Sequence, residues 1–178
     1  MHVLVIYASP REHGVTAKLA AAFIEGLPTG ASVTQLFLPD KPVLPCLACN
    51  ACADGNGCRQ HDIDDIYAQL EDADVLCLAV PVYNLAPPST FKALLDRLQC
   101  YYEAPRQSVA QKKPLVLLSA SGQRGNARAK LLEKQILPNF ALLGYTLAGH
   151  VHAAGTDGHP TLEKEKKKTA VIAKRLLK

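Results

Sequence analysis

Three motifs typical of common nucleotide-binding or hydrolytic sites are missing from this chain of 178 residues. It has no G-x-x-x-x-G-K-[ST] pattern, which argues against a P-loop NTPase, and no G-x-G-x-x-G after a strand, which argues against a Rossmann-type NAD domain. It also has no G-x-S-x-G nucleophile elbow. The sequence therefore indicates neither a tightly held NAD nor a nucleophilic serine.

Long apolar runs are also missing, and none approaches the length needed to span a membrane. Met1 leads directly into strand-like sequence, so we expect no signal peptide, no membrane partner and a cytoplasmic location. Thiols stay reduced in that compartment. The six cysteines therefore indicate metal or redox chemistry rather than disulfides.

Charge of one sign is in only slight excess, at a net +4. Much of it comes from the run 164–168 and from three basic residues near the C-terminus, a pattern typical of the solvated face of a terminal helix. No nucleic-acid reading motif accompanies it, so we expect no nucleic-acid partner. The length predicts a single domain over residues 1–178.

Apolar strand-like segments alternate with amphipathic helix-like segments along the chain. A short β-branched run precedes a polar turn and a helix whose apolar positions share one face, which is the opening unit of a parallel sheet. The predicted strands are residues 3–6, 32–38, 75–80, 114–119 and 145–152. With five intervening helices, they predict an α/β fold with a doubly wound parallel sheet, interrupted by a cysteine-rich insertion at about 39–61.

Four residues give expectations for the helix ends. Asp62 and Ser89 are expected to cap two helices, because their side-chain oxygens can accept the free N–H groups of a first turn. Pro138 predicts a kink or break in the helix that follows residue 125. Pro160 is expected near the start of a last helix that runs to the chain end.

Three predicted loops meet at the edge where the strands of a doubly wound sheet end and where ligands bind. The first holds two hydroxyls, a guanidinium and a glycine at a helix N-terminus, where free N–H groups and the helix dipole favour a phosphate. The second carries Tyr83, a ring suited to stacking on a flat cofactor. The third, residues 119–125, offers small side chains and free N–H groups to a heteroaromatic edge.

The insertion carries Cys46, Cys49, Cys52 and Cys58 within thirteen residues. Four soft thiolates on consecutive C-x-x-C turns suit a [4Fe–4S] cluster, and nearby glycines would let the last cysteine close the site. Zinc sites more often pair two such knuckles across a longer spacer. The residues therefore favour a cluster, with zinc and unmetallated thiols as alternatives.

Further polar residues receive structural interpretations. His150 and His152 alternate with apolar residues on the fifth predicted strand and are expected to be histidines of a sheet face or loop. Lys92 and Asp96 have the i, i+4 spacing of a helical ion pair. Arg97 is expected to help either a dimer contact or the cofactor site.

These motifs resemble the NAD(P)H-dependent FMN reductases of the flavodoxin-like superfamily and, within them, the iron–sulfur flavoproteins. The resemblance covers about the first 100 residues. Besides the four cysteines, it rests on the following matching stretches: Ser9-Pro-Arg with Gly14 and Thr16, Asp64-Asp65-Ile66, Pro81-Val-Tyr83, and Lys92-x-x-x-Asp96-Arg97.

The resemblance implies a flavodoxin-like sheet of order 2-1-3-4-5, with FMN as cofactor and NAD(P)H as transient substrate. It implies a small-molecule or ferredoxin-like electron acceptor, a [4Fe–4S] cluster on the four cysteines, and a homodimer or tetramer. No catalytic side chain is expected, because the flavin carries the chemistry. The expected cofactor-binding residues are Ser9, Arg11, Gly14, Val15, Thr16, Pro81, Val82, Tyr83, Asn84, Ser119, Ser121 and Gly122.

Three functions agree with these features. The first is a redox enzyme or electron-transfer protein that passes electrons between FMN, a [4Fe–4S] cluster and an acceptor. The second is a plain NAD(P)H-dependent FMN or quinone reductase without a cluster. The third is a non-enzymatic flavodoxin-like binding module whose cysteine segment is stapled by zinc.

Overall fold

The computed structural model describes residues 1–55, 57–103, 112–158 and 161–176. Its core is one five-stranded, all-parallel sheet in the order β2-β1-β3-β4-β5. The strands are β1 (His2–Tyr7), β2 (Ser32–Phe37), β3 (Val75–Pro81), β4 (Lys113–Ser121) and β5 (Tyr145–Ala154). The predicted fold class and strand order are confirmed.

Six α-helices cover both faces of the sheet in the described part of the chain. They are α1 (Val15–Glu25), α2 (Asp64–Asp72), α3 (Ser89–Arg97), α4 (Gln99–Glu103), α5 (Ala127–Ala141) and α6 (Glu163–Arg175). Helices α1 and α6 bury apolar residues on one face, and α2 to α5 bury theirs on the other. Both faces of β3 are therefore buried, which explains its uninterrupted apolar sequence.

The expectations for the helix ends are partly wrong. Helix α2 begins at Asp64, with Ile63 at its cap position, because Asp62 is engaged by a buried arginine instead. Helix α3 has Ser89 as its first residue rather than its cap.

The two prolines also differ from expectation. Helix α5 continues unbroken through Pro138, with the buried side chains of Ile136 and Phe140 holding it against the sheet. Helix α6 begins at Glu163 rather than near Pro160, which lies outside the described residues.

The fourth and fifth strands each continue two residues beyond their predicted ends, and β4 also begins one residue earlier. Strand β4 extends to Ser121 and pairs with β5 as far as Ala154. Ser121 therefore belongs to a strand, not to the loop in which the sequence pattern places it. The predicted strand ends too early because a serine at a strand end resembles the start of a turn.

Helix α1 ends against α6 at a position that has no room for a side chain. A Cβ on Gly26 would lie 2.8 Å from the Cα and 2.9 Å from the carbonyl oxygen of Ala170. We expect Gly26→Ala to lower the free energy of unfolding by about 1–3 kcal/mol, as overpacking does. Urea unfolding measures this, with Gly158→Ala as control because that Cβ would meet open space. Equal effects of the two substitutions would contradict the close approach.

Among the described helices, none combines the length and the apolar character needed to cross a bilayer.

Candidate cofactor-binding site

The carboxyl ends of β1, β3 and β4 surround a cavity of about 530 Å³, within the usual size range of ligand pockets. Eleven of the twelve predicted cofactor-binding residues line it: Ser9, Arg11, Gly14, Val15, Thr16, Pro81, Val82, Tyr83, Asn84, Ser121 and Gly122. The parallel topology brings them together, since all three loops follow strands that end at the same edge.

The first wall is the turn that joins β1 to α1. The N–H of Arg11 donates to Ser9 Oγ (3.1 Å), and the N–H of Gly14 donates to the carbonyl of Arg11 (3.0 Å). Helix α1 then begins at Val15 with no acidic residue in its first turn. The first-turn N–H groups lack intrahelical partners, so this end of the helix presents donors and positive potential to the cavity.

Gly14 keeps this turn compact. A Cβ at that position would lie 3.1 Å from the carbonyl oxygen and 3.3 Å from the Cβ of Arg11. The turn therefore brings the backbone, a buried Ser9 and a buried Thr16 close to one point of the cavity wall, with Arg11 exposed at its rim. Hydroxyls, a guanidinium and free N–H groups are the donor set that binds a phosphate.

The second wall is a tight turn after β3. Tyr83 and Ala86 exchange two backbone hydrogen bonds (2.8 and 2.9 Å), so only Asn84 and Leu85 lie at the tip. Both tip residues are left-handed, with φ of 49° and 65°. Leucine rarely adopts this conformation, and such strain tends to occur at functional sites. Tyr83 remains 37% exposed and borders the cavity.

The third wall differs from the prediction at one residue. Ser121 and Gly122 line the cavity, but Ser119 is fully buried in β4 and does not. Its hydroxyl contacts two histidines of β5 instead. Ser119 lies two residues before the end of β4, so the structure does not bring it to the cavity with the other eleven expected cofactor-binding residues.

The cavity also has residues that sequence reasoning missed: Leu85, Ala120, Gln123, Arg128, Thr156 and Asp157. Two of them follow β5, whose carboxyl end lies at the same sheet edge, so the topology could have indicated them. A Cβ on Gly122 would meet the carboxylate of Asp157, an exposed side chain that would have to move aside.

Burial disfavours the charged form of the two β5 histidines. It lowers the pKa of His150, although Glu133 partly opposes the shift. Burial, with the nearby His150 and Arg128, lowers the pKa of His152 to about 4. The expectation that these are sheet-face histidines agrees with their position on β5.

These pKa shifts predict a loss of stability in acid. A histidine whose pKa falls on folding binds its proton more readily in the unfolded chain. The contribution of these histidines to the free energy of unfolding should be fully present above about pH 6.5 and should decline as the pH falls towards 4. We expect His152→Gln to reduce the decline between pH 7 and 5 by on the order of 1 kcal/mol, after discounting for solvent exposure. Urea unfolding at both pH values measures this, and an unchanged decline would contradict it.

The cysteine segment lies at a second cavity of about 390 Å³. Cys46, Cys49, Cys52 and Cys58 all line it, together with Cys100 from α4. Within the described residues, however, no three histidine, cysteine or acidic side chains are arranged as ligands of one metal ion. The donor set suits a cluster, but the described cysteine side chains are not arranged as its ligands.

Arg97 anchors this segment from beneath. Its side chain is fully buried and donates to Asp62 Oδ1 (2.8 Å), to the carbonyl of Leu44 (3.1 Å) and to the carbonyl of Gln60 (2.8 Å). These acceptors flank the cysteines on both sides. Arg97 thus holds the ends of the segment rather than reaching the first cavity, while the predicted Lys92–Asp96 ion pair is confirmed.

Comparison with known proteins agrees with this geometry. The sequence profile of NADPH-dependent FMN reductases matches residues 1–157. The chain belongs to this family. The predicted family and enzyme class, an NAD(P)H-dependent FMN oxidoreductase, are thereby confirmed.

Relatives of this family member carry two kinds of name. An iron–sulfur flavoprotein of Methanosarcina thermophila is 32% identical over 136 residues, 75% of this chain and 70% of the relative. An FMN-dependent NADH:quinone oxidoreductase of Stenotrophomonas maltophilia is 27% identical over 154 residues, 81% of this chain and 78% of the relative.

A solved structure supports the fold. An FMN-dependent NADH-azoreductase from Bacillus anthracis, in complex with FMN, superposes with a TM-score of 0.76 at 19% identity, over 99% of each chain.

Proposed function

We propose that this FMN reductase family member binds FMN in the first cavity and uses NAD(P)H to reduce a small acceptor of the quinone class. The observation that carries the proposal is one cavity that joins an anion-binding helix N-terminus to an aromatic turn. The relative named as an NADH:quinone oxidoreductase supports the acceptor class. A ferredoxin-like acceptor and a homodimer or tetramer stay predictions.

Bound FMN supplies hydride acceptance and electron transfer to the acceptor. The residues of the first turn bind its phosphate in this proposal, with Arg11 neutralising charge and Ser9 and Thr16 donating hydrogen bonds. Tyr83 and its neighbours lie against the ring. The backbone of Ser121 and Gly122 faces the polar edge of the ring.

Anaerobic mixing of the FMN-loaded protein with NADH or NADPH tests this function. We expect the flavin absorbance near 450 nm to bleach on the order of seconds or faster and to return when a water-soluble benzoquinone is added. Acceptor-dependent oxidation of NAD(P)H should follow in steady state. Flavin that neither coenzyme reduces would contradict the proposal.

A second proposal concerns the cysteine segment. We infer that a [4Fe–4S] cluster assembles on Cys46, Cys49, Cys52 and Cys58, drawing together thiols that already line one cavity. The relatives named iron–sulfur flavoproteins support it. Membership in an enzyme family argues against the alternative of a non-enzymatic, zinc-stapled module.

Iron, zinc and acid-labile sulfide analysis after anaerobic purification separates the alternatives. About four irons and four sulfides per chain would support the cluster. Zinc or no metal in the purified protein, together with full quinone reductase activity of the Cys46→Ser variant, would support the reductase without a cluster.

A further inference from the structure

The face of the sheet beneath α5 changes character towards its carboxyl end. Leu115 and Leu117 of β4 are buried in the apolar core, and the next side chains on that face are Ser119 and Ser121. The adjacent stretch of β5 likewise carries two histidines. A core built only for packing would continue with apolar residues, because buried polar groups cost free energy unless every one is hydrogen-bonded.

These polar side chains form one unbroken chain of hydrogen bonds. Glu133 Oε1 lies 2.6 Å from His150 Nδ1, and His150 Nε2 lies 2.6 Å from Ser119 Oγ. Ser119 Oγ lies 2.7 Å from His152 Nδ1, and His152 Nε2 lies 3.0 Å from Ser121 Oγ. We call Glu133, His150, Ser119, His152 and Ser121 the polar relay.

The two ends of the polar relay lie in different surroundings. Glu133, on α5, is 31% exposed and can exchange protons with water. Ser121 is buried but borders the first cavity. Of the middle members, the His150 side chain is 8% exposed, Ser119 is fully buried and His152 is half-buried. The relay thus connects bulk water to the cavity through the interior.

We propose that the polar relay delivers a proton from Glu133 at the surface to Ser121 at the cofactor cavity. This rests on the proposed function. The reaction NAD(P)H + H⁺ + quinone → NAD(P)⁺ + hydroquinone takes up one proton from water, and the relay offers it a route through the chain.

Two arrangements of the shared hydrogens satisfy every contact between members of the polar relay. In the loaded one, Glu133 and His150 Nδ1 share a proton, and the N–H or O–H groups of His150, Ser119 and His152 each donate towards the cavity. The hydroxyl of Ser121 then donates to the carbonyl of Gln123 (3.0 Å). In the unloaded one, the hydrogens between Ser121 and His150 point back towards Glu133.

Delivery shifts each hydrogen by one position. The O–H and N–H bonds at Ser121 Oγ, His152 Nε2, Ser119 Oγ and His150 Nε2 break. New bonds form at the acceptor in the cavity and at Ser121 Oγ, His152 Nδ1 and Ser119 Oγ. Four bonds break, four form, and no electrons are transferred. Glu133 then takes up one proton from water, and rotation of the two serine hydroxyls together with a half-turn of each histidine ring restores the loaded arrangement.

The surrounding charges suit such a concerted shift. Glu133 and Arg128 of α5 are the charged groups that act on the two histidines, with each histidine also acting on the other through β5. Arg128 disfavours a second proton on His152. A concerted shift never places one there, because His152 gains a hydrogen at Nδ1 as it loses one at Nε2.

Ring ¹⁵N NMR of the cofactor-free protein tests the connection without any activity. Glu133→Gln should change the Nδ1–H to Nε2–H balance of His152 when Ser119 is present and should leave it unchanged in Ser119→Ala. If His152 responds equally in both backgrounds, or in neither, the relay is overturned. Should Ser119→Ala not fold, His150→Gln breaks the chain one link earlier and takes the same measurement.

Turnover of the FMN-loaded protein tests the use of the relay. We expect Ser119→Ala to lower kcat about tenfold at pH 8 and less at pH 6, with partial rescue by added imidazole as a diffusible proton carrier. Thr169→Val is the matched control, because it removes another buried hydroxyl, on α6. A pH-independent loss without rescue would overturn the relay. Wild-type protein that oxidises no NAD(P)H would instead overturn the proposed function, and the NMR result would still decide the connection.

Discussion

Replacing Arg97 with alanine is expected to lower the free energy of unfolding by about 3–5 kcal/mol. The guanidinium is fully buried and bonds to Asp62, Leu44 and Gln60, which join both ends of the cysteine segment to α3. Its removal leaves the carboxylate of Asp62, only 12% exposed, without its cation and two carbonyls without their donor.

Urea unfolding monitored by circular dichroism measures this loss. Arg97→Lys should recover little of it, because an ammonium group cannot reach three separated acceptors with the geometry of a guanidinium. Lys92→Ala is the control, since it removes an exposed ion pair on the same helix and should cost less than about 0.5 kcal/mol. A loss below about 1 kcal/mol for Arg97→Ala would show that the segment is held by other contacts.

Arg11→Ala is expected to weaken FMN binding about 10- to 100-fold. A hydrogen bond to a charged group contributes about 1.5–3 kcal/mol, and each 1.4 kcal/mol corresponds to a factor of ten in Kd. The guanidinium lies at the rim of the cavity beside the N-terminus of α1, where a phosphate would receive both charge and N–H donors.

Quenching of flavin fluorescence in a titration gives both dissociation constants. The difference between wild type and Arg11→Ala should shrink as salt is raised, because the lost interaction is partly electrostatic and exposed. Arg175→Ala removes the same charge from the end of α6 and should leave FMN affinity within a factor of two or so. Equal Kd values for wild type and Arg11→Ala would place the phosphate elsewhere.

The sheet could be predicted from the sequence because its strands are buried on both faces. A run such as 75–80 has no other common explanation, and the parallel topology then determines which loops share an edge. That rule places at one cavity the three loops that hold eleven of the expected cofactor-binding residues. The same rule applies to Asp157, which follows β5 at that edge, so this residue could have been predicted as well.

Long-range contacts account for what the sequence could not show. Asp62 resembles a helix cap locally, but its partner Arg97 is 35 residues away, and a buried cation outweighs a cap. Ser119 resembles a loop residue until His150 and His152 supply its hydrogen bonds across the sheet. The left-handed turn at Leu85 carries no glycine to indicate it.

Binding of FMN compared with riboflavin by the wild-type protein tests the central claim most directly, since the two ligands share a ring and differ only in the phosphate. If the first turn binds the phosphate, FMN should bind with micromolar or lower Kd and riboflavin at least about 100-fold more weakly. Equal affinities, or no binding of FMN, would contradict the account.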